Sequence, residues 1–373
     1  MKILHFADLH LDTAFTGSGM APEIARSCRA RLRKTLNRLV DLALEYKVDA
    51  VTIGGDLFEG DRVRRDTVQF MSSCFAQLAP IPVLIAPGNH DYYSPISPYA
   101  RHPWPENVTI FKKPFPEPFD INDETTIWGL AHNTPSERKN LIENFKVPQD
   151  DRLHILLLHG SEVGNYVENR AAHAPFHLRD IQEAGFSFAL LGHYHSARIM
   201  ELESPIAVYP GSSQPLGFGE DGDHSFALLS SQPDFIECEC INIATQAFHS
   251  ITLNPQDASD MHNLAEEIVT SAGKRAAEAN FLRLQLSGIQ NKELHLDLDY
   301  LKEFLLNYFE HVAITNTMRT ALDITELSQE PTVRGAFVRK LQQVLSENHD
   351  DQELVRMALQ YGLDAFDGDE LLK

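Results

Sequence analysis

Short apolar runs alternate with longer amphipathic segments along the first two thirds of the chain. The runs Lys2–Ala7, Ala50–Ile53 and Ile81–Ala86 have the length and apolar content of buried strands. Between them, Pro22–Tyr46 and Arg65–Leu78 place their apolar residues at helical spacing. Because strands and helices follow one another in turn, the sequence predicts a layered α/β architecture.

The same apolar pattern continues to residue 229 and then changes near residue 245. The further predicted strands are Thr126–Ala131, His154–Leu158, Phe188–Leu191, Ile206–Tyr209 and Ser225–Leu229. After residue 245, strand-like Gln246–Leu253 and Phe281–Leu286 are each followed by a helical segment, at Ala258–Ser271 and Tyr300–Phe309. This second pattern predicts a small β-α-β-α unit.

From about residue 331 only helical patterning remains, in Val333–Ser346 and Gln352–Tyr361. A chain of 373 residues is also long for a single domain. We therefore expect three parts, which are a larger domain at 1–245, a small α+β domain at 246–330 and a helical tail at 331–373.

The composition restricts the location and the partners of the protein. No apolar run approaches the roughly 18 residues of a membrane-spanning helix, and the first apolar run is too short for a signal peptide. We expect a cytoplasmic protein without a membrane partner. The formal net charge of -21 opposes the approach of nucleic acid. Either the substrate is not a nucleic acid, or metal ions, a local basic patch or a partner must supply positive charge.

Five polar motifs each follow an apolar run. They are Asp8-Leu9-His10, Gly55-Asp56, Gly88-Asn89-His90-Asp91, His159-Gly160 and Gly192-His193-Tyr194-His195. In α/β sheets, ligands bind at the carboxyl ends of the strands. Each motif alone is compatible with a turn or a surface pair, but five in series at strand ends are hard to explain by packing. Aspartate, histidine and asparagine together are typical of a two-metal phosphoesterase site.

Seven of these residues are predicted to ligate the two ions. Asp8 and His10 alternate after the first strand and can face one ion, and Asp56 is the natural bridging carboxylate. The remaining predicted ligands are Asn89, His159, His193 and His195.

His90 and Asp91 are predicted to be catalytic. His90 adjoins a ligand in sequence and is therefore better placed to meet the phosphate than to bind the same ion. There an imidazolium can stabilise the transition state or protonate the leaving oxygen. Asp91 would then orient the imidazole of His90.

Basic residues concentrate near the first motifs. The helix Pro22–Tyr46 carries Arg26, Arg29, Arg31, Arg33, Lys34 and Arg38, and the Asp56 turn is followed by Arg62, Arg64 and Arg65. These residues form either a phosphate-contacting surface or a solvated helix face. Among the histidines outside the ligand set, His173 and His177 are not expected to bind metal, and His224 is the one expected to touch substrate.

These motifs resemble those of the calcineurin-like metallophosphoesterases. A finer match, to SbcD-type DNA repair exonucleases and their Mre-type relatives, is carried by the segments Ile3–Leu11, Gly54–Phe58 and Tyr209–Ser212. Trp104–Val108 is similar to the bacterial YhaO-type members. The resemblance covers about residues 1–245 well and the remainder only in outline.

The resemblance implies a four-layer sandwich, in which two β-sheets are flanked by helices, followed by a small capping domain and a helical tail. It also implies two divalent ions, Mn²⁺ first, with Mg²⁺, Fe²⁺ or Zn²⁺ as alternatives. By motif match, the residues holding one ion are Asp8, His10, Asp56 and His195, and those holding the other are Asp56, Asn89, His159 and His193.

The resemblance further implies cleavage of DNA, an SMC-like (SbcC/YhaN-type) ATPase as partner, and a homodimer. In the family, helices after the cap dock on the coiled coil of that ATPase, which would place the docking in Val333–Ser346 and Gln352–Tyr361. One position departs from the pattern, because Glu59 stands where many Mre-type members carry a second catalytic histidine.

The sequence therefore predicts a metal-dependent DNA nuclease, exonuclease or endonuclease, acting in DNA end processing or repair. The first alternative is a phosphodiesterase or phosphatase acting on nucleotides or phosphoproteins, which would fit the acidic composition better. The second is a non-catalytic scaffold with a decayed site. The complete set of expected ligands argues against the scaffold.

Overall fold

The computed structural model describes residues 1–15, 20–164, 172–202, 205–220, 222–232, 235–255, 260–272, 279–290, 296–320, 324–347 and 352–367. Its helices are α1 (Pro22–Tyr46), α2 (Arg65–Ala76), α3 (Pro98–Arg101), α4 (Leu178–Ala184), α5 (Met261–Ala272), α6 (Leu298–Leu305), α7 (Ile324–Gln329), α8 (Val333–Glu347) and α9 (Gln352–Asp367). None of these helices is long and apolar enough to cross a bilayer.

The first large sheet is built around four parallel strands. Its strands are β1 (Lys2–Phe6), β2 (Ala50–Ile53), β3 (Val83–Ile85), β4 (Val108–Ile110), β11 (Ser225–Gln232) and β12 (Phe235–Asn242). The order is β12-β11-β1-β2-β3-β4, with β11 and β12 antiparallel to their neighbours. Phe6 is in register with Ile53, and Ile53 with Ile85. The turns that follow β1, β2 and β3 therefore leave the sheet side by side.

The second large sheet repeats this arrangement. Its strands are β5 (Glu117–Asn122), β6 (Thr125–Gly129), β7 (Leu153–His159), β8 (Phe188–Gly192), β9 (Arg198–Glu201) and β10 (Pro205–Tyr209). The order is β5-β6-β7-β8-β10-β9, with parallel pairing from β6 to β10 and antiparallel strands at both edges. His159 is in register with Gly192, so the motifs after β7 and β8 are also neighbours.

Alternation of side chains along the strands produces four layers. In β1, Leu4 and Phe6 pack in a buried cluster with residues of α1 and α2. Ile3 points to the other face, where it joins a cluster that includes Ile155 and Phe188 of the second sheet. The outer face of the second sheet packs on α4 in a third cluster. The predicted four-layer α/β sandwich is confirmed.

The remaining strands form two small sheets. These strands are β13 (Gln246–Leu253), β14 (Ala279–Leu286), β15 (Ile289–Gln290), β16 (His311–Asn316) and β17 (Arg319–Thr320). One sheet has the order β13-β14-β16, and the other pairs β15 with β17. The structure adds β15, β16 and β17, which the sequence pattern did not indicate. Predicted helix Tyr300–Phe309 ends earlier, at Leu305, where the Asn307 side-chain amide donates to the Phe304 carbonyl at 2.9 Å. The first two residues of predicted helix Ala258–Ser271 lie outside the described residues.

The chain divides into two compact units. The first unit comprises Met1–Ile251, Ala265–Gln285 and Leu298–Thr315, and the second comprises Thr252–Leu264, Leu286–Asp297 and Asn316–Lys373. Within the second unit, α7, α8 and α9 share a small core, whose buried residues are Leu327, Val338, Leu359 and Leu363.

A buried histidine joins the two large sheets. His5 of β1 is fully buried; its Nδ1 lies 3.0 Å from Thr52 Oγ1, and its Nε2 lies 2.9 Å from the carbonyl oxygen of Leu191 in the second sheet. Because a carbonyl only accepts, Nε2 carries the proton and Nδ1 accepts from the threonine hydroxyl. Burial lowers the pKa of His5 to about 4, despite these hydrogen bonds.

We expect this histidine to make the stability of the protein pH-dependent. The unfolded chain takes up a proton near pH 6.5, whereas folded His5 stays neutral down to about pH 4. The free energy of unfolding therefore decreases as the pH is lowered through this window. Between pH 7 and pH 5, wild type should lose about 2 kcal/mol more unfolding free energy than His5→Gln. Urea unfolding at both pH values measures this difference, because the other buried histidines are common to both proteins. Equal losses would contradict it.

Candidate metal centre

Four of the five motifs line one cavity of about 300 Å³, between the strand ends of the two large sheets, and His159 of the remaining motif contacts Asp56 and Asn89. The cavity is lined by His10, Asp56, Glu59, Asn89, His90, His173, His193, His195 and Leu216. Residues that are far apart in sequence meet there because three parallel strands of one sheet and two of the other end at this point.

Asp56 lies at the centre of the cluster. Its Oδ2 is 3.7 Å from His10 Nε2 and 3.4 Å from His159 Nε2, while its Oδ1 accepts the His90 backbone N–H at 2.8 Å. Asp56 belongs to two groups whose possible ligand atoms lie within 4.8 Å of one another, one with His10 and His90 and the other with Asp8 and His159. A carboxylate shared between two groups is the arrangement expected for the bridge of a dinuclear centre.

The remaining predicted ligands surround this carboxylate. His195 Nε2 lies 4.0 Å from Asp8 Oδ1, and these residues form a third group with His10. On the other side, Asn89 Oδ1 lies 3.0 Å from His159 Nε2. His193 is placed by its own backbone N–H, which donates to Asp8 Oδ2 at 2.9 Å. The structure thus brings all seven predicted ligands into one cluster.

The donor set fits divalent cations. Two imidazole nitrogens, His10 Nε2 and His193 Nε2, are buried without a hydrogen-bond partner among the described residues. Such nitrogens are costly unless a cation takes their lone pair. Burial lowers the pKa of His159 to about 3 and that of His193 to about 2, so both rings are neutral near pH 7. Neutral imidazole, carboxylate and amide oxygen together suit divalent metal ions.

Three hydrogen bonds orient the histidines toward the cluster. His10 Nδ1 pairs with Glu59 at 2.8 Å, His195 Nδ1 with Glu220 at 2.7 Å, and His159 Nδ1 with the Gly54 carbonyl at 2.7 Å. Each acceptor holds the proton on Nδ1 and leaves Nε2 facing inward, as is usual for metal-binding histidines. The sequence analysis missed these partners because they lie 25 to 105 residues from the rings they orient.

Glu59 also contacts His90. Its second carboxylate oxygen lies 2.9 Å from His90 Nδ1. Burial alone would raise the pKa of Glu59, but hydrogen bonds from His10 and His90 outweigh it and lower the pKa to about 2. The same hydrogen bond raises the pKa of His90 to about 9. Glu59 therefore stays charged and His90 protonated near pH 7.

The orienting role predicted for Asp91 belongs to Glu59 in the structure. The buried Asp91 carboxylate accepts three backbone N–H groups, from Asp56 at 3.1 Å, Leu57 at 2.8 Å and Gly88 at 2.7 Å. It also accepts the Tyr99 hydroxyl at 2.7 Å. With these four donors, Asp91 ties the turn after β2 to the turn after β3 and makes no hydrogen bond to the His90 ring. Adjacency in sequence had suggested the wrong partner for that ring.

Backbone strain accompanies the ligands. Four non-glycine ligand candidates have positive φ, namely Asp8 (54°), His10 (48°), Asp56 (49°) and His193 (115°). Left-handed conformations cost free energy for such residues and persist where surrounding contacts fix them. One of these contacts is made by the Asp91 carboxylate, which accepts the backbone N–H groups of Asp56 and Leu57 in this turn.

The structure separates the other predicted site residues from the cavity. Arg62, Arg64 and Arg65 are exposed and do not line it. His224 is buried, with Nδ1 hydrogen-bonded to Ser212 and Nε2 to the Glu220 carbonyl. Their contact with substrate stays a prediction. The lining does include His173, whose ring centroid lies 5.3 Å from that of His193 and which the sequence analysis had set aside.

A comparison with protein families matches residues 1–197, more than half of the chain, to the family described as calcineurin-like phosphoesterase. The chain belongs to this family. Calcineurin-like phosphoesterases bind two divalent ions, and the aspartate and histidine groups around Asp56 could hold them. The family match ends just after His195, so it contains all seven predicted ligands.

Individual relatives share less than a third of their aligned residues with this calcineurin-like phosphoesterase. Uncharacterized metallophosphoesterase YhaO of Bacillus subtilis is 29% identical over 240 residues, which cover 61% of this chain and 57% of YhaO. DNA double-strand break repair protein Mre11 of Sulfurisphaera tokodaii is 27% identical over 286 residues, which cover 72% and 67%. Mre11 of Methanopyrus kandleri is 24% identical over 241 residues, which cover 60% and 51%. The chain thus spans about half to two thirds of the length of these relatives.

Among solved structures, one that aligns with this phosphoesterase is TT1561 of Thermus thermophilus. The alignment covers 65% of this chain and 98% of the TT1561 chain. The sequence identity is 15% and the TM-score is 0.40.

Close packing of the turns predicts that Gly88 is needed for metal binding. A Cβ at Gly88 would collide with Asp56 Oδ1 and would lie 2.8 Å from His159 Nδ1. We expect Gly88→Ala to weaken Mn²⁺ binding by roughly tenfold or more, as loss of orienting contacts does. Titration calorimetry with Mn²⁺ measures the effect.

Gly217→Ala is the matched control, because a Cβ at Gly217 meets nothing within 4 Å. It should bind Mn²⁺ like wild type. If Gly88→Ala binds Mn²⁺ with wild-type affinity, the turns are not packed around Asp56 as described.

Proposed function

We propose that this chain is a metal-dependent DNA nuclease that hydrolyses phosphodiester bonds during processing of DNA ends. The observation that carries the proposal is the Asp56-centred ligand cluster, with the His90 ring held by Glu59 at its edge. Two relatives are named as DNA double-strand break repair proteins, which supports DNA as the substrate. Family membership supports phosphoester hydrolysis as the reaction.

Two groups of residues would hold the ions, and Mn²⁺ is the metal we propose. By motif match, the first group would be Asp8, His10, Asp56 and His195, and the second would be Asp56, Asn89, His159 and His193. When bound, two such ions activate water and neutralise the charge that develops on the phosphoryl group. They would also offset the net charge of -21 where the DNA backbone approaches.

His90 is the proposed general acid. Its side chain is 44% exposed, so the ring can reach a substrate that lies over the cavity. Because Nδ1 is held by Glu59, Nε2–H is the group available to donate to the leaving oxygen. The charge of Glu59 supports the protonated form that this step requires. A single histidine held by a glutamate would thus suffice where other members use two histidines.

Replacement of His90 should separate metal binding from catalysis. We expect His90→Gln to bind Mn²⁺ like wild type but to lower kcat by about 10²- to 10⁴-fold, the usual range for a lost general acid. Glu59→Gln, which keeps the shape but removes the charge, should lower kcat by a smaller factor. The assay is hydrolysis of end-labelled linear duplex DNA with added Mn²⁺.

His262→Asn removes an exposed histidine far along the chain and should leave kcat unchanged. Loss of Mn²⁺ binding in His90→Gln would show that His90 is a ligand and not the acid. Turnover of bis-p-nitrophenyl phosphate without cleavage of DNA by wild type would replace DNA with a smaller phosphodiester as the substrate.

We also propose that the helical tail binds an SMC-like ATPase. The last helix, α9, exposes Leu354, Met357 and Tyr361, with exposed fractions of 65%, 48% and 52%. Their spacing of three and four residues places them on one side of the helix. An exposed apolar stripe of this kind suits the groove or surface of a partner helix. The domain limits of 246–330 for the cap and 331–373 for the tail belong to the same proposal.

Polar substitution of this stripe should weaken the complex. We expect the double variant Leu354→Gln/Met357→Gln to bind the coiled-coil segment of the SMC-like ATPase of the same organism at least tenfold more weakly than wild type. Ile96→Gln, at an apolar residue that is 70% exposed elsewhere, is the control and should bind normally. Light scattering or calorimetry measures the affinity. Unchanged affinity of the double variant would exclude this stripe as the contact.

A further inference from the structure

A second cavity, of about 930 Å³, lies between α1 and the antiparallel strands β11 and β12. It shares no lining residue with the metal cavity. Its size is within the range of pockets that hold small organic ligands, about 300–1,000 Å³. Neither the motifs nor the proposed nuclease mechanism gives this cavity a role.

The basic residues of α1 divide into two sets. Arg31 forms an ion pair with Glu310 at 2.7 Å, Arg33 pairs with Asp66 at 2.7 Å, and Arg29 donates to the Ala14 carbonyl. These three arginines bind other groups of the protein itself. Lys34 and Arg38 instead line the cavity from one helix face.

These two cations remain available to a ligand. Lys34 makes no ion pair within the part of the chain that the structure describes. Within that part of the chain, Arg38 has only a long contact with Glu45, at 3.6 Å, and both side chains are more than half exposed. Such a surface pair contributes little and can rearrange. Asp223 also lines the cavity, and its Oδ1 accepts the Asn242 side-chain amide at 3.1 Å. The two adjacent cations outweigh this single carboxylate, so the lining is locally positive and suits an anion.

The other walls of the cavity suit a flat ring. Tyr46, Ile241 and Ile243 are half-buried and apolar, and Phe226 packs behind the Tyr46 ring. Gln246 also lines the cavity and is 1% exposed. Its Nε2 donates to the Pro215 carbonyl, whereas its Oε1 has no hydrogen-bond partner among the described residues. This oxygen is closed off from the cavity, so the wall that faces a ligand is the apolar and aromatic one.

We propose that this cavity binds a nucleotide, with its phosphate on Lys34 and Arg38 and its base against Tyr46. An anion and a flat ring occur together in a nucleotide, and they are the same in a free nucleotide and in one unit of a single strand.

The nucleotide site adjoins the metal cavity through one loop. Pro215 lines the nucleotide site, whereas the next residue, Leu216, lines the metal cavity. The Leu216 N–H donates to Glu220 Oε2 at 2.8 Å, and the other oxygen of Glu220 orients His195. His224, in the wall of the nucleotide site, bonds the Glu220 carbonyl at 3.1 Å. A bound nucleotide therefore lies next to the residues that orient one metal ligand.

Direct binding of deoxyadenosine monophosphate to the full chain tests the proposal, independently of any nuclease activity. Titration calorimetry should show saturable binding by wild type, and Arg38→Gln or Lys34→Gln should each weaken it by at least about tenfold. Arg26→Gln is the matched control, because it removes the same charge from an exposed position of α1 that does not line the cavity. Deoxyadenosine, which lacks the phosphate, should bind weakly and equally to wild type and Arg38→Gln.

Three results would overturn the site. They are no binding by wild type at millimolar nucleotide, equal weakening by Arg26→Gln and Arg38→Gln, and weakening by Asp56→Ala but not by Arg38→Gln. The last result would place the nucleotide in the metal cavity. A phosphorothioate-linked tetramer of deoxyadenosine separates the two sources of the ligand. If the tetramer binds more tightly than deoxyadenosine monophosphate and its binding depends on Arg38, the ligand is a unit of a single strand. If the two bind equally and both depend on Arg38, the ligand is a free nucleotide.

Discussion

The burial of one carboxylate, that of Asp56, governs the arrangement of the centre. Asp56 is 2% exposed, so its charge must be compensated inside the protein. One oxygen receives the His90 N–H, and the other faces imidazoles from both large sheets. The turns can approach this closely only because Gly55 and Gly88 have no side chains, and a Cβ on Gly55 would lie 2.7 Å from Gly88 N. The Asp56 charge is therefore compensated through three features together, which are the packing of the sheets, the glycine turns and the orientation of the histidines.

Much of the fold and of the ligand set could be predicted from the sequence, because both depend on short-range patterns. Helix α1 has the predicted bounds Pro22–Tyr46, since its apolar stripe is regular and the chain leaves the helix at Lys47, with φ 52°. The ligand candidates were visible because each lies at the end of a buried strand or shortly after it. Edge strands such as β5 and β9 were missed, because short and partly exposed strands have no continuous apolar run.

The supporting contacts could not be predicted, because they join residues that are distant in sequence. Glu59 was noted only as a departure from a family pattern, and its bonds to His10 and His90 depend on the folded turns. Glu220 carried no sequence signal at all. The basic residues of α1 were equally ambiguous, because Arg31 and Arg38 look alike in sequence although Arg31 forms a partly buried ion pair and Arg38 faces a cavity. Tertiary partners alone distinguish them.

Because the candidate ligands come from both large sheets, metal binding would be linked to folding. Asp8, His10, Asp56 and Asn89 follow strands of the first sheet, whereas His159 ends β7 of the second sheet and His193 and His195 follow its β8. An ion held by both sets would act as a cross-link between the sheets, and it would be bound by the folded chain alone. By thermodynamic linkage, free metal at a hundred times its dissociation constant would add about 2.7 kcal/mol to the free energy of unfolding. The supply of metal in the cell would then set how long the protein survives proteolysis, as well as how fast it works.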